Sequence, residues 1–294
     1  MSRRPLPPAG VVAALACPHD LGALTLTGRV LGCAQGHRFD LARQGYATLV
    51  AGALRHTGDP ATLVERRLRV HTAGVLDAVH GAVVAAVTET DLPPGTVVDV
   101  GAGPGTYLAV VLDALLARSG LAVDASRSAA RRAARCHPRA GAVVADVWQA
   151  LPIRTGAAAA VLVVFAPRNP AEFARILAPG GLLVTVTPEP EHLAELRELF
   201  HLLAVPTDKA EREAAALAEW FRPEGTEHVH TMVTLDAALA GDLAAMGPSG
   251  HHLDPATAAR SDGAMTAAGE PLTVTVAVRV ARFRRRGPHG SNAP

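Results

Sequence analysis

The stretch VVDVGAGPGTYLAVVLDALLARSGLAVDASRSAARRAARCHPRAGAVVADVWQALPIRTGAAAAVLVVFAP, residues 97–167, decides the fold. Apolar, β-branched runs alternate in it with helical stretches, the pattern of a parallel sheet covered on both faces. It predicts strands over 97–100, 120–124, 142–145 and 160–165, with a helix after the glycine loop and another through residue 135. Beyond it, AEFARILAPGGLLVTVTPEP (171–190) adds a helix, a Pro-Gly-Gly turn and a strand. Near the end, PLTVTVAVRVARF (271–283) alternates as a further strand, expected at the antiparallel edge of the sheet. Between these, residues 190–265 are polar and helix-prone and are expected to form a helical insertion or cap at the mouth of the sheet. The chain thus divides into a module over 1–50, a helical linker over 51–92 and an α/β domain over 93–294.

At 294 residues the chain is long enough for an α/β domain with an appendage. Lys and Arg number 28 against 27 Asp and Glu, so the whole molecule is not a basic nucleic-acid binder. Arginine is nonetheless concentrated before residue 80 and in RVARFRRRG, while Lys209 is the only lysine. Arginine suits phosphate contacts, although a GC-rich genome would produce the same bias. No apolar run approaches the ~20 residues of a membrane span, so no membrane is expected. The basic start and apolar run before Cys17 are read as a folded segment rather than a signal peptide. Three cysteines make no complete disulfide framework, which points to a reducing cytoplasm.

The glycine loop DVGAGPG follows a strand and opens a helix, so backbone can approach a ligand at Gly101, Ala102, Gly103 and Gly105. Three acids stand at successive strand ends. Asp99 precedes the glycines; Asp124, followed by Ala125, is placed to bind both hydroxyls of a ribose. Asp146, with the amide of Val147, can face an adenine edge. Phe165 closes the fourth strand and completes the candidate cofactor set. A capping aspartate at each strand end is the structural alternative. The position of a third dinucleotide-type glycine is Thr106, which disfavours a nicotinamide cofactor. The set resembles the class I S-adenosylmethionine-dependent methyltransferases, a Rossmann-like α/β fold.

CPHDLGALTLTGRVLGCAQGH, residues 17–37, presents Cys17, Cys33 and His37 as zinc ligands, with Asp20 where a second cysteine would usually stand. Knuckle and sheet read together, through CAQGHRFDLARQGYATLV, GDPATLVERR, VVDVGAGPGTYL, VFAPRNPAEFARILAPGG and MGPSGHHLDP, resemble the large-subunit ribosomal RNA guanine-N1 methyltransferases. That resemblance implies a zinc-ribbon-like N-terminal module that helps recognise RNA and methylation of a guanine in a large-subunit rRNA hairpin. It also implies, for one branch, resistance to tylosin-type macrolides, and it implies a homodimer. Carboxylate oxygen is an acceptable zinc ligand, although metal-free folding of the knuckle is the alternative.

Relatives carry Gly-His-Tyr in the linker where this chain has Gly74, Val75 and Leu76. Bases are normally stacked on aromatic or guanidinium planes, so Arg, His and Phe would have to serve. The same departure motivates a second reading, a relative acting on a small-molecule acceptor. On the acceptor side, Arg168 and Asn169 follow the fourth strand, and His251 and His252 lie in GPSGHHLD. Each has an ordinary structural alternative, a surface arginine or a lone histidine. Glu65, Arg66 and Arg67 either steer phosphates or form solvated pairs, and Cys136 is read as a buried helix-end residue.

Overall fold

The computed structural model describes residues 6–55, 57–247 and 271–287. The chain opens with α1 (Ala9–Ala14), then a small antiparallel sheet of β1 (Thr25–Thr27), β2 (Val30–Gly32) and β3 (Arg38–Asp40), and the two-residue β4 (Ala47–Thr48). Two helices follow, α2 (Ala61–Thr72) and α3 (Asp77–Thr88). The α/β unit runs β5 (Thr96–Val100), α4 (Thr106–Ala114), β6 (Gly120–Asp124), α5 (Arg127–Ala133), β7 (Ala140–Val144), β8 (Ala158–Val164), α6 (Pro170–Ile176) and β9 (Leu177–Pro188). It ends with α7 (Ala194–Phe200), α8 (Lys209–Leu217), β10 (Phe221–Leu235), α9 (Ala237–Ala245) and β11 (Leu272–Arg285).

The main sheet has the order β10-β11-β9-β8-β5-β6-β7-β4. Its strands are parallel from β9 through β4, and β11 and β10 are antiparallel. Strands β5, β7 and β8 are buried at every position, which is why they read as continuous apolar runs rather than alternating ones. One face is covered by α3, α4 and α5 through Val79, Val83, Leu108, Leu112 and Ala130, the other by α1 and α6 through Val11, Phe173 and Ile176. From β5 the chain winds out to β6 and β7, then returns to β8 on the opposite side. The crevice at the C-terminal ends of β5 and β8 is therefore the topological switch point.

Two expectations are corrected. The strand β11 is antiparallel but is not the edge, because β10 pairs along its whole outer side from Phe221 to Leu235. That strand lies inside the segment expected to be a helical cap, where only α7, α8 and α9 are helical among the described residues. Its polarity hid it: Phe221, Val229 and Leu235 are its buried positions, and the remainder is exposed or only half-buried, as on an edge strand. The module over 1–50 is tied to the α/β unit by pairing and hydrogen bonds. The strand β4 joins the main sheet beside β7, Leu49 N–H donates to Val144 at 2.9 Å, and Thr96 Oγ1 donates to Gly10 in α1 at 3.2 Å.

Candidate active site

The glycine loop turns sharply from β5 into α4 at the switch point. Gly101 has φ +73°, and a Cβ there would stand 2.4 Å from the Ala166 Cβ, so the loops after β5 and β8 meet only because that side chain is absent. Gly103 also has positive φ, but the nearest atom to a Cβ there would be Arg67 Cδ at 3.9 Å. Its open side faces a cavity of about 790 Å3 lined by Gly101, Gly103, Asp124 and Asp146, a size typical of ligand sites. Asp99, Ala102 and Gly105 support the loop from beneath and do not line this cavity. Asp99 is 1% exposed and its Oδ2 has no hydrogen-bond partner among the described residues. Burial, and then the charge of Asp124, push its carboxyl up to about 7.

Asp124 ends β6 on the floor of the cavity. Its Oδ2 accepts from Gly103 N–H at 2.8 Å and its Oδ1 from Ser126 N–H at 2.7 Å, which fixes the carboxylate against the loop. Burial raises its pKa, with the two N–H donors opposing. Asp146, beyond β7, accepts from Trp148 N–H at 3.0 Å and Arg55 N–H at 3.3 Å. Between them the Val147 N–H has no partner among the described residues, and Ala125, Val147 and the half-exposed Trp148 line the same wall. A carboxylate for a ribose, an unpaired N–H beside a carboxylate for an adenine edge, and bare glycine backbone therefore fit an adenosyl cofactor.

The far end of the cavity follows β8. Phe165 takes φ +52° and stays 39% exposed, a strained conformation of the kind that persists where a site requires it. Arg168 lines the cavity but is not free: its Nε lies 2.9 Å from Glu213 of α8, which also pairs with Arg279 of β11. Asn169 is not in the lining. Its Oδ1 caps α6 at Glu172 N–H and its Nδ2 donates to Val147 O at 2.8 Å, so both ends of the amide are engaged in holding the adjacent loop. His251 and His252 lie outside the described residues. Two residues that sequence reading passed over, His192 and Lys209, line this end. Burial and the Arg168 guanidinium lower the pKa of Lys209.

The linker arginines tie elements together. Arg66 and Arg69 converge on Asp242 of α9, at 3.5 and 2.6 Å, and Glu65 pairs with Arg132 of α5 at 2.5 Å. Arg67 pairs with Asp59 at 2.9 Å, donates to Met246 O at 3.2 Å and lines the cavity beside Gly103. Leu76, at the position of the missing aromatic, lines it too.

In the N-terminal module the ligand atoms of Cys17, Asp20, Cys33 and His37 all lie within 4.8 Å of one another. His37 Nδ1 stands 3.5 Å from Cys17 Sγ, 3.3 Å from Cys33 Sγ and 3.2 Å from Asp20 Oδ2, and Cys33 Sγ is 3.3 Å from that oxygen. Zinc bonds of about 2.3 Å to sulfur and about 2.0–2.1 Å to nitrogen or oxygen make tetrahedral edges of about 3.3–3.8 Å, a size that these four separations approach, so the cluster suits zinc. Asp20 Oδ1 is anchored by Gly22 N–H at 2.7 Å, which leaves Oδ2 for the cage.

A parallel sheet with an antiparallel β10-β11 pair at its edge, a glycine loop at the switch point and acids after the next two strands define a class I S-adenosylmethionine-dependent methyltransferase. The chain is 43% identical over 276 residues to the 23S rRNA (guanine(748)-N(1))-methyltransferase of Streptomyces fradiae, covering 92% of this chain and 98% of that one. A Micromonospora griseorubida relative with the same guanine-N1 designation, without a nucleotide number, is 43% identical over 87% of this chain and 90% of its own. A family model described as "RlmA, N-terminal", a zinc ribbon, matches residues 15–51. The chain belongs to the 23S rRNA guanine-N1 methyltransferases. Among solved structures it is similar to a geranyl diphosphate methyltransferase, with TM-score 0.42 and 18% identity over 80% of this chain and 94% of that one.

Proposed function

We propose that this chain methylates N1 of one guanine in a large-subunit rRNA hairpin, the guanine numbered 748 for which the Streptomyces fradiae relative is named, and that tylosin-type macrolide resistance follows. The observation that carries the reading is one continuous cavity at the switch point, which runs from Asp124 and Asp146 at one end to Phe165 and Arg168 at the other. S-Adenosylmethionine would supply an electrophilic methyl group on sulfur. Asp124 takes the ribose hydroxyls, while Asp146 and the Val147 N–H take the adenine edge. The glycine backbone and Arg67 face the carboxylate of the methionine part. Asn169 acts by holding the Val147 loop, and Arg168 presents charge to the acceptor from its anchor on Glu213. Zinc, held by Cys17, Asp20, Cys33 and His37, shapes the module that meets the RNA.

The test is methyl transfer from labelled S-adenosylmethionine to large-subunit rRNA from a strain lacking this gene. Label in one guanine, mapped by a reverse-transcription stop because N1-methylation blocks pairing, is the expected result. Asp124→Ala should lose it and weaken cofactor binding by about 100-fold or more, the lower bound for two hydrogen bonds to a charged group. Cofactor binding without label in rRNA would transfer the proposal to a small-molecule acceptor.

A further inference from the structure

The acceptor end of the cavity holds a histidine that the assigned roles leave unused. His192 lies between β9 and α7, and its ring stacks on Phe165 with centroids 5.8 Å apart and planes 24° apart. Its Nδ1 accepts the backbone N–H of Ala277 in β11 at 3.2 Å. An acceptor nitrogen carries no proton, so the neutral ring carries its proton on Nε2. Backbone on a different strand thus selects the tautomer, and Phe165 sets the ring plane. Both rings line the cavity.

We propose that His192 is a catalytic residue that donates an Nε2–H hydrogen bond to O6 of the acceptor guanine as N1 attacks the methyl group. The inference rests on the guanine-N1 reading. N1 of guanine is a nucleophile only as its proton leaves, and the negative charge that develops is shared with O6. A fixed donor at O6 acts where that charge appears. The N1 proton passes to water, the N1–CH3 bond forms, and the S–CH3 bond breaks with its electron pair going to sulfur. The same donor discriminates between bases, because adenine places an amino group where guanine has O6 and would set donor against donor. Burial, with the Arg197 and Lys209 charges, holds the imidazole near a pKa of about 4. The ring therefore stays neutral and keeps this tautomer across physiological pH.

The experiment uses the full chain with an rRNA hairpin containing the acceptor. In His192→Asn the side-chain oxygen still accepts from Ala277, but nothing reaches the ε position. Its kcat should fall by about 100- to 1,000-fold, the usual cost of one such donor, with the Kd for S-adenosylmethionine unchanged. His192→Gln, whose amide N–H extends to the ε position, should recover part of the loss. Replacing the acceptor by 6-thioguanine should slow the wild type and leave His192→Asn unaffected. A kcat for His192→Asn within about threefold of wild type, far outside the range for a lost donor, overturns the proposal, as does an equal sulfur effect in both proteins. Wild-type protein that binds the cofactor but leaves the guanine hairpin unmethylated overturns the guanine reading itself, and this inference with it.

Discussion

The Asp99 carboxyl is pushed up to about 7, because it is fully enclosed beneath the glycine loop with Asp124 nearby. A free aspartate titrates near 3.9, so between about pH 4 and 7 the folded chain holds a proton that the unfolded chain does not. The stabilisation is complete below that window and is lost as pH rises through the folded value. His71 and His192, lowered to about 3 and about 4, have the opposite sign, being neutral in the fold where the unfolded chain would be charged. Asp99→Asn removes the first effect and leaves the others. The stability of the variant relative to wild type should therefore rise between pH 5 and pH 7, with a slope approaching 1.4 kcal/mol per unit, about the free energy of one pKa unit. Denaturant unfolding of the cofactor-free protein at several pH values measures it, and a flat difference would remove Asp99 as a proton-binding site. The same residue shows what a sequence can convey: its place before the glycines was readable, whereas its role as a buried support came from packing with Tyr107 and α4.

At the scale of elements, the parallel strands were legible because total burial writes itself as apolar runs, and the glycine loop because positive φ demands glycine. The strand β10 was illegible because an edge strand with one buried residue in several resembles a polar helix or loop, and β4 because two residues hold no period. Asn169 had a readable signal, an Asn followed by Pro at a helix start, which is a capping pattern. His192 had none, since its partner Ala277 lies 85 residues away. The helix α8 was readable as amphipathic, but its anchor was not. Glu213 is 1% exposed in its side chain and meets Arg168 and Arg279, at 22% and 13%. Removing one partner of a buried ion pair leaves an uncompensated charge and costs about 3 kcal/mol or more. Glu213→Ala should therefore destabilise the protein by roughly that amount, discounted for the partial exposure of Arg168. It should also raise amide hydrogen exchange across residues 209–217 above that of the neighbouring strands. Unchanged exchange in α8 would mean that apolar contacts such as Leu217, and not the ion pairs, hold it over the cavity.

For the whole molecule the zinc cage is a question of cooperativity. The module that contains it also supplies β4 to the main sheet and α1 to the core beneath, through Leu15, Ala16 and Val11. Its metal would join two turns far apart in the chain, Cys17 with Asp20 and Cys33 with His37, and metal binding of this kind is folding free energy. The carboxylate of Asp20 replaces the thiolate that softer zinc sites use, so this cage should be weaker than a three-cysteine one without losing its shape. Purified protein should carry about one zinc per chain, as a single tetrahedral cage requires. Chelation should lower the melting temperature of the whole chain in one transition, since β4 and α1 loosen with the ribbon. Asp20→Cys should slow zinc loss to a chelator and Asp20→Ala should hasten it. Two separate transitions would show that the ribbon folds apart from the sheet despite β4, and identical melting with and without metal would show that packing around Cys17 and Leu31, both fully buried, is sufficient to hold the four ligands together.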